Sequence, residues 1–393
     1  MLKKTVRDVE VKGRRVLVRV DFNVPLKDGK VAEDNRLKAA LPTVRNLCDR
    51  GARVILVSHL GRPKGTPEDQ LRLLPVAVRL GELLGRPVMY AGDSVGPVAE
   101  QAVEKLGPGD VLLLENIRFH PGETKNDPEL ARQLASLCDI YVNDAFGTVH
   151  RAHASTVGVA TLRPSVAGFL VERELEVLTR LLKNPDHPFV VLIGGAKISD
   201  KIGVLENLIG LVDALLIGGG MANTFLAAKG YKMGRSLVEA DKTEVAKNLL
   251  SSAGVRGCRL VLPVDLVVAE SREPGATHRV AAADAVPADW MALDVGPETV
   301  KLFAGLLKDA RTVFWNGPLG LFEQPPFDAG TTAVARALPV NGATTIVGGG
   351  DTARAVKRAG MADKITHVST GGGASLMLLE GKVLPGVSVL QDK

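Results

Sequence analysis

At 393 residues the chain is longer than one hydrophobic core usually serves, and two domains suit it better. Apolar residues at 46% and charged residues at 24% exclude a disordered chain, and a net charge of +5 with no run of five or six basic residues favours small acidic ligands over nucleic acid. Cys48, Cys138 and Cys258 lie far apart with no CxxC or Cys/His cluster, which excludes a zinc site or disulfide framework and fits a reducing cytoplasm. The N-terminal "MLKKTVRDVEVKGRR" lacks the apolar stretch of a secretion signal, and no window approaches eighteen apolar residues, so neither export nor membrane insertion is expected.

Taken in chain order, short β-branched and leucine-rich runs alternate with helix-length amphipathic segments. The expected strands of the first half are "RRVLVRVDF", "ARVILVSH", "RPVMY", "DVLLLENIRF" and "CDIYVND". Those of the second half are "FVVLIGG", "ALLIGGG", "RLVLPVDLVVA", "TVFWNG", "TTIVGGG" and "THVSTGGG". Runs this apolar, separated by helices, predict an α/β fold with two doubly wound, Rossmann-like parallel-sheet domains. Between them, "VAGFLVERELEVLTRLLKNPDHP" repeats leucine at helical spacing until Asn184-Pro185 stops it. It reads as a helix linking the domains, although the same periodicity suits a surface helix of one domain.

The two halves differ at their strand ends, where open α/β sheets bind ligands. In the second half, apolar runs break at glycine clusters after Ile193, Ile217, Val347 and Thr370. One such cluster can serve packing alone, but four in one half point to backbone N–H groups that approach phosphate oxygens at helix starts. Asp351 directly follows Gly350, where it can orient a magnesium-phosphate unit or cap the helix. Lys197 and Lys201 in "GGAKISDK" are four apart, so a helix starting after Gly195 would aim both at one ligand. Glu323 in "WNGPLGLFE" is placed to accept from ribose hydroxyls, or is an ordinary surface acid.

In the first half the strand ends carry Asp21 and Asn23, His59 and Arg62, Arg118 and His120, and Asn143 and Asp144. Arg36 opens a helix-like segment, and "TVHRAHAS" adds His150, Arg151 and His153. Singly these are solvated arginines or structural histidines. Together they predict a basic pocket for a small polyanion, gripped by guanidinium forks.

The ordered series "VRVDFNVPL", "SHLGRP", "ENIRF", "NDAFGTVHRAHAS", "GGAKISDK", "IGGGMANTF", "WNGPLGLFE", "GGGDTA" and "VSTGGGASLMLLEGKVLPG", from about Asp21 to Gly386, resembles that of phosphoglycerate kinases. The resemblance implies reversible phosphoryl transfer from 1,3-bisphosphoglycerate to magnesium-ADP, giving 3-phosphoglycerate and ATP. It assigns Asp21, Asn23, Arg36, His59, Arg62, Arg118 and Arg151 to phosphoglycerate. To the nucleotide it assigns Gly195, Lys197, Lys201, Gly219, Asn316, Glu323, Gly349, Gly350, Asp351 and Thr352, with Asp351 near the magnesium. Arg36 and Lys197, with backbone amides around Gly349 and Gly371, are expected to neutralise charge on the moving phosphoryl group.

The expected domains are 1–168 for phosphoglycerate, a linking helix over 169–187 and 188–375 for the nucleotide. The tail from about 376 to 393 is expected to pack back on the first domain. A cytoplasmic monomer that closes about the linking helix completes the expectation, without nucleic acid or membrane as partner. Rival readings lack their motifs: neither a dinucleotide-binding G-x-G-x-x-G with its distal acid nor a Walker G-x-x-x-x-G-K-[ST] occurs.

Overall fold

The computed structural model describes residues 3–339 and 342–393, which divide into two compact units: Met1–Val177 with Val383–Lys393, and Leu178–Lys382.

In the first unit, β1 (Arg15–Arg19) is followed by a hairpin of β2 (Leu26–Lys27) and β3 (Lys30–Val31), then α1 (Asn35–Asp49) and β4 (Arg53–Val57). There follow α2 (Leu74–Leu84), β5 (Met89–Tyr90), α3 (Gly96–Glu104), β6 (Val111–Leu113), α4 (Pro128–Ser136), β7 (Ile140–Asn143) and β8 (Ser165–Ala167). The six-stranded sheet runs β5-β6-β4-β1-β7-β8, parallel throughout. Val16, Leu17 and Val18 of β1 and Val54, Ile55 and Leu56 of β4 are fully buried, as strands covered on both faces must be.

Helix α5 (Phe169–Lys183) starts in the first unit and ends in the second. Two buried side chains satisfy its first N–H groups: Thr43 Oγ1 accepts from Phe169 and Asp144 Oδ1 from Leu170, each at 2.9 Å. Glu172 in its first turn and Arg180 and Lys183 in its last complement the helix dipole. The strand β8 precedes it, so Val166 and Ala167 of the segment read as helix are sheet residues instead. They lie in register with Val142 and Asn143 of β7, and the Ala167 N–H donates to the Lys4 carbonyl at 2.8 Å.

The second unit contains β9 (Phe189–Ile193), α6 (Ile202–Leu208), β10 (Ala214–Ile217), α7 (Gly219–Ala228), α8 (Thr243–Val255), β11 (Arg259–Val261), β12 (Asp265–Ala269), β13 (His278–Ala282) and β14 (Met291–Val295). It continues through α9 (Pro297–Leu307), β15 (Thr312–Asn316), α10 (Ala329–Arg336), β16 (Thr344–Gly348), α11 (Gly350–Arg358), β17 (His367–Val368) and α12 (Gly373–Leu379). Its parallel sheet has the order β11-β10-β9-β15-β16-β17.

"RLVLPVDLVVA" is not one strand. Pro263, which has no N–H to give a ladder, separates β11 of the parallel sheet from β12 of a small antiparallel sheet, β13-β12-β14. That small sheet was not foreseen, because β13 is largely exposed and carries few of the apolar residues that mark a strand.

A short helix, α13 (Pro385–Ser388), belongs to the returning segment of the first unit. Gly386 N donates to the Val149 carbonyl at 2.8 Å and Gln391 N to the Ser165 carbonyl at 3.0 Å. Among the described residues, no helix is long and apolar enough to cross a membrane.

Burial raises the pKa of Asp144 to about 7, against hydrogen bonds from Thr43, Leu170 and Val171 that lower it. A carboxyl raised on folding contributes stability that is complete below its unfolded pKa near 3.8 and is lost as pH rises through about 7. The unfolding free energy of the wild type relative to Asp144→Asn should therefore fall between about pH 4 and pH 7, by up to about 1.4 kcal/mol per unit, and level off above. Urea unfolding of both proteins across that range measures it; a constant difference would show that the carboxyl titrates as it does in the unfolded chain.

Candidate active site

In the first unit, loops leaving the sheet at strand ends meet on one basic face. Asp21, just past β1, pairs with Arg36 in the first turn of α1, and its other oxygen lies 3.9 Å from His59 Nδ1. Asn23 Oδ1 accepts from the Gly61 N–H at 2.8 Å, while Arg118 donates to the Gly61 carbonyl at 2.6 Å. Held from both sides, Gly61 anchors the loop between His59 and Arg62. Arg62 and Arg151 reach outward, and Arg151 Nε hydrogen-bonds His150 Nε2 at 3.0 Å.

The charge on this face is not fully compensated. Burial, then the charges of Arg19 and Arg151, push the pKa of Arg118 down to about 10, with Glu123 and Asp21 acting the other way. The buried Nε of Arg118 has no hydrogen-bond partner within the protein. An anion on this face would supply both the missing acceptor and the missing charge, which is the environment in which guanidiniums bind phosphate or carboxylate.

The second sheet reverses direction of strand addition between β9 and β15, and the loops leaving these two strands are joined. Gly194 N donates to the Asn316 carbonyl at 3.0 Å and Gly195 N to that of Pro318 at 2.9 Å. Lys201, at the cap position of α6, is buried against them: its Nζ donates to the Asn316 carbonyl at 3.0 Å and to Asn316 Oδ1. Burial lowers the pKa of Lys201 to about 8, while Asp200 and Asp351 pull it up.

From there the contacts pass to α11. Asn316 Nδ2 donates to the Gly348 carbonyl at 2.9 Å, and Gly317 N to Thr352 Oγ1 at 2.7 Å. Gly349 caps α11, and Asp351 in its first turn pairs with Arg354 at 2.6 Å. Beside these loops a cleft of about 260 Å³ is lined by Gly195, Gly219, Glu323 and Asp351, with Leu293, Leu319 and Leu321 among its apolar walls. The starts of α7 and α11 and the leucines in this lining suit an anionic ligand with an apolar portion.

Residues 6–382 match the family model for phosphoglycerate kinase. Proteins named phosphoglycerate kinase from Pelotomaculum thermopropionicum and Desulforudis audaxviator are 59% and 60% identical over the full length of both chains. The chain belongs to the phosphoglycerate kinase family. Among solved structures, the phosphoglycerate kinase of Coxiella burnetii superposes with a TM-score of 0.88 at 42% identity, covering 98% of each chain. That of Pyrococcus horikoshii gives 0.87 at 35% identity, covering 99% of this chain and 98% of its own.

Within this member of the phosphoglycerate kinase family, the structure corrects two geometric expectations. Lys197 and Lys201 do not share a helix face, because α6 begins only at Ile202. Glu239 holds the preceding loop open: its carboxylate accepts from Ile198 N at 2.7 Å, Ser199 N at 3.2 Å and Ser199 Oγ at 2.6 Å. Lys197 is exposed on that loop, whereas Lys201 is buried. Asp351 is not the cap of α11, a position taken by Gly349. Gly371 N donates to Ser369 Oγ at 3.1 Å just before α12.

Sequence reasoning passed over Glu239 and also over Arg19, Glu123 and Ser155, which stand behind His59. The available signal was Arg19, an arginine directly after the apolar run Val16–Val18.

A side chain at Gly219 (φ +67°) would place its Cβ 2.7 Å from both Gly195 N and Gly195 O and 2.9 Å from Pro318 O, all of them backbone. At Gly350 an added Cβ meets nothing within 4 Å. Gly219→Ala should lower both the melting temperature and the affinity for magnesium-ADP, whereas Gly350→Ala should leave the melting temperature unchanged and weaken the ligand alone. Thermal scans and calorimetry on the two variants distinguish these outcomes, and equal destabilisation by both would contradict the assignment.

Proposed function

We infer that this phosphoglycerate kinase family member catalyses reversible transfer of a phosphoryl group from 1,3-bisphosphoglycerate to magnesium-ADP, giving 3-phosphoglycerate and ATP. The observation that carries the reading is the pairing of two chemically different strand-end sites. One is a basic face with an unpartnered buried guanidinium nitrogen; the other is a glycine-lined cleft beside loops that a buried lysine joins. The first takes the phosphoglycerate through Asp21, Asn23, Arg36, His59, Arg62, Arg118 and Arg151. The second takes the nucleotide through Gly195, Lys197, Lys201, Gly219, Asn316, Glu323 and the Gly349–Thr352 turn.

No protein nucleophile is needed when donor and acceptor oxygens both belong to substrates. The protein aligns them and neutralises charge on the moving group. Arg36 and Lys197, with backbone amides around Gly349 and Gly371, carry that charge in this reading. Direct transfer requires the substrates to meet, so turnover includes closure of the two units, which also keeps water from the acyl phosphate.

Magnesium fits as a companion of the nucleotide. Among the described residues, no group of three or more His, Cys, Asp or Glu is placed to hold a metal, so phosphate oxygens and water must supply most ligands, with Asp351 as the carboxylate. When bound, the ion offsets negative charge on the phosphates. The three cysteines are free and buried, which supports the expectation of a cytoplasmic protein, and the reading requires no second copy of the chain.

A coupled assay that produces ATP from ADP and the acyl phosphate tests the reaction itself. The two lysines should separate kinetically. Lys201→Ala removes a ground-state contact and should raise the KM for nucleotide. Lys197→Ala should lower kcat about a hundredfold, a loss of roughly 3 kcal/mol, with each substrate still bound. If Lys197→Ala changed only the nucleotide KM, Lys197 would be a binding residue.

Removing Arg118 and Arg151 together should weaken 3-phosphoglycerate by more than tenfold and flatten its salt dependence, with magnesium-ADP little affected. Unchanged phosphoglycerate affinity by calorimetry would remove the basic face from the site.

A further inference from the structure

Behind the basic face lies a buried chain of polar groups that contact with substrate does not explain. Arg19, the last residue of β1, is 1% exposed. Its Nε donates to Ser155 Oγ at 2.8 Å, its Nη1 to the Val20 carbonyl, and its Nη2 lies 3.1 Å from His59 Nδ1. Ser155 passes the contact on, with Oγ donating to Glu123 Oε1 at 2.6 Å and the backbone N–H to Oε2 at 2.9 Å. Burial pushes the Glu123 carboxyl up, but His153, the charge of Arg19 and the two Ser155 donors hold it below the usual carboxylate range. Glu123 is therefore the counter-charge of Arg19, reached through a hydroxyl.

We propose that Arg19, backed by Ser155 and Glu123, is a positioning residue that keeps the ring proton of His59 on Nε2 and aims that N–H at the phosphoglycerate. The proposal rests on assigning this face to that substrate. A guanidinium has donors only, so an Nδ1 at 3.1 Å from it must accept, and the single proton of the neutral ring is left on Nε2.

A second proton would set N–H against N–H. It is opposed further by burial and by the charges of Arg19, Arg118, Arg36 and Arg151, which hold His59 well below its ordinary pKa. The acid facing the ring, Asp21, is itself paired with Arg36. His59 then presents the same directional donor across the neutral range instead of a charge that switches with pH. A buried ion pair relayed through a serine is a weak source of stability, which makes orientation the better account of why it is there.

The test uses the full chain with ¹⁵N-labelled histidine, followed by long-range ¹H–¹⁵N spectra from pH 5.5 to 8 with and without 3-phosphoglycerate. His59 should carry its proton on Nε2, show no titration in that range, and shift at Nε2 when the ligand is added. A proton on Nδ1, or an ordinary histidine titration, overturns the proposal without any variant.

In Arg19→Met the ring should exchange between tautomers and titrate, and 3-phosphoglycerate affinity should fall roughly tenfold or more. That affinity should also gain a pH dependence absent from the wild type once the ligand's own titration is divided out. Magnesium-ADP affinity should stay within about twofold, and Arg19→Lys, which restores a donor to Nδ1, should recover the Nε2–H tautomer. A tautomer still fixed on Nε2 in Arg19→Met overturns the role of Arg19. Wild-type protein that bound no 3-phosphoglycerate would defeat the reading of the site, whereas binding that left His59 Nε2 unmoved would defeat only this inference.

Discussion

A strand covered by helices on both faces has no flank open to water, so its side chains must be apolar until the chain leaves the sheet. Both large sheets obey this constraint: between their terminal residues, β1, β4, β7, β9, β10 and β15 are buried and wholly aliphatic or aromatic. The polar groups that do chemistry are therefore concentrated where strands end. Parallel pairing then brings the ends of successive strands to one edge, so residues as far apart in sequence as Asp21, His59 and Arg118 gather without any local motif to join them. Where the rule is broken, as by Arg19 at the end of β1, the charge is matched by a buried partner and a set of hydrogen bonds.

The two units use different means at equivalent positions. The first relies on side chains, and its guanidiniums are held by backbone carbonyls and carboxylates while part of their charge stays unmet. The second places glycines at its strand ends, where an added side chain would strike neighbouring backbone, and commits one buried lysine to the join between two loops. Both also use buried carboxyl groups at helix starts. Asp144 serves α5, Asp265 accepts from Glu298 N and Thr299 N of α9, and Asp294 accepts from Gly330 N of α10 at 2.6 Å. Burial lifts Asp294 to about 8 despite these backbone donors. Such groups sacrifice some solvation to fix where a helix begins, and hence where the loop before it must lie.

How much of this was legible in the sequence follows from the same constraint. Fully buried strands announce themselves as unbroken apolar runs, so the two parallel sheets and their strand-end residues could be read directly. The antiparallel sheet could not, because an exposed strand such as "HRVAA" has no apolar face to reveal it. Helix starts were also poorly legible. Spacing put Lys197 and Lys201 on one face, but Glu239, about forty residues downstream, claims the N–H groups that would have begun that helix early. The supports behind His59 were hidden for the opposite reason: Arg19, Glu123 and Ser155 come from three distant segments, and only the fold shows that they touch.

The segment Val383–Lys393 has a consequence for how the chain is made. It completes the first unit, with Gln391 and Lys4 joined backbone to backbone at 2.8 Å and Lys3 Nζ bonded to the Leu390 carbonyl at 2.7 Å. On a ribosome these residues emerge only after the whole of Leu178–Lys382. The unit whose synthesis starts first is thus the last to be finished, and its N-terminal portion waits for the partners of the Ser165 and Val149 carbonyls while some two hundred residues are translated. Vectorial folding of this chain runs in reverse of the usual N-terminal-first order.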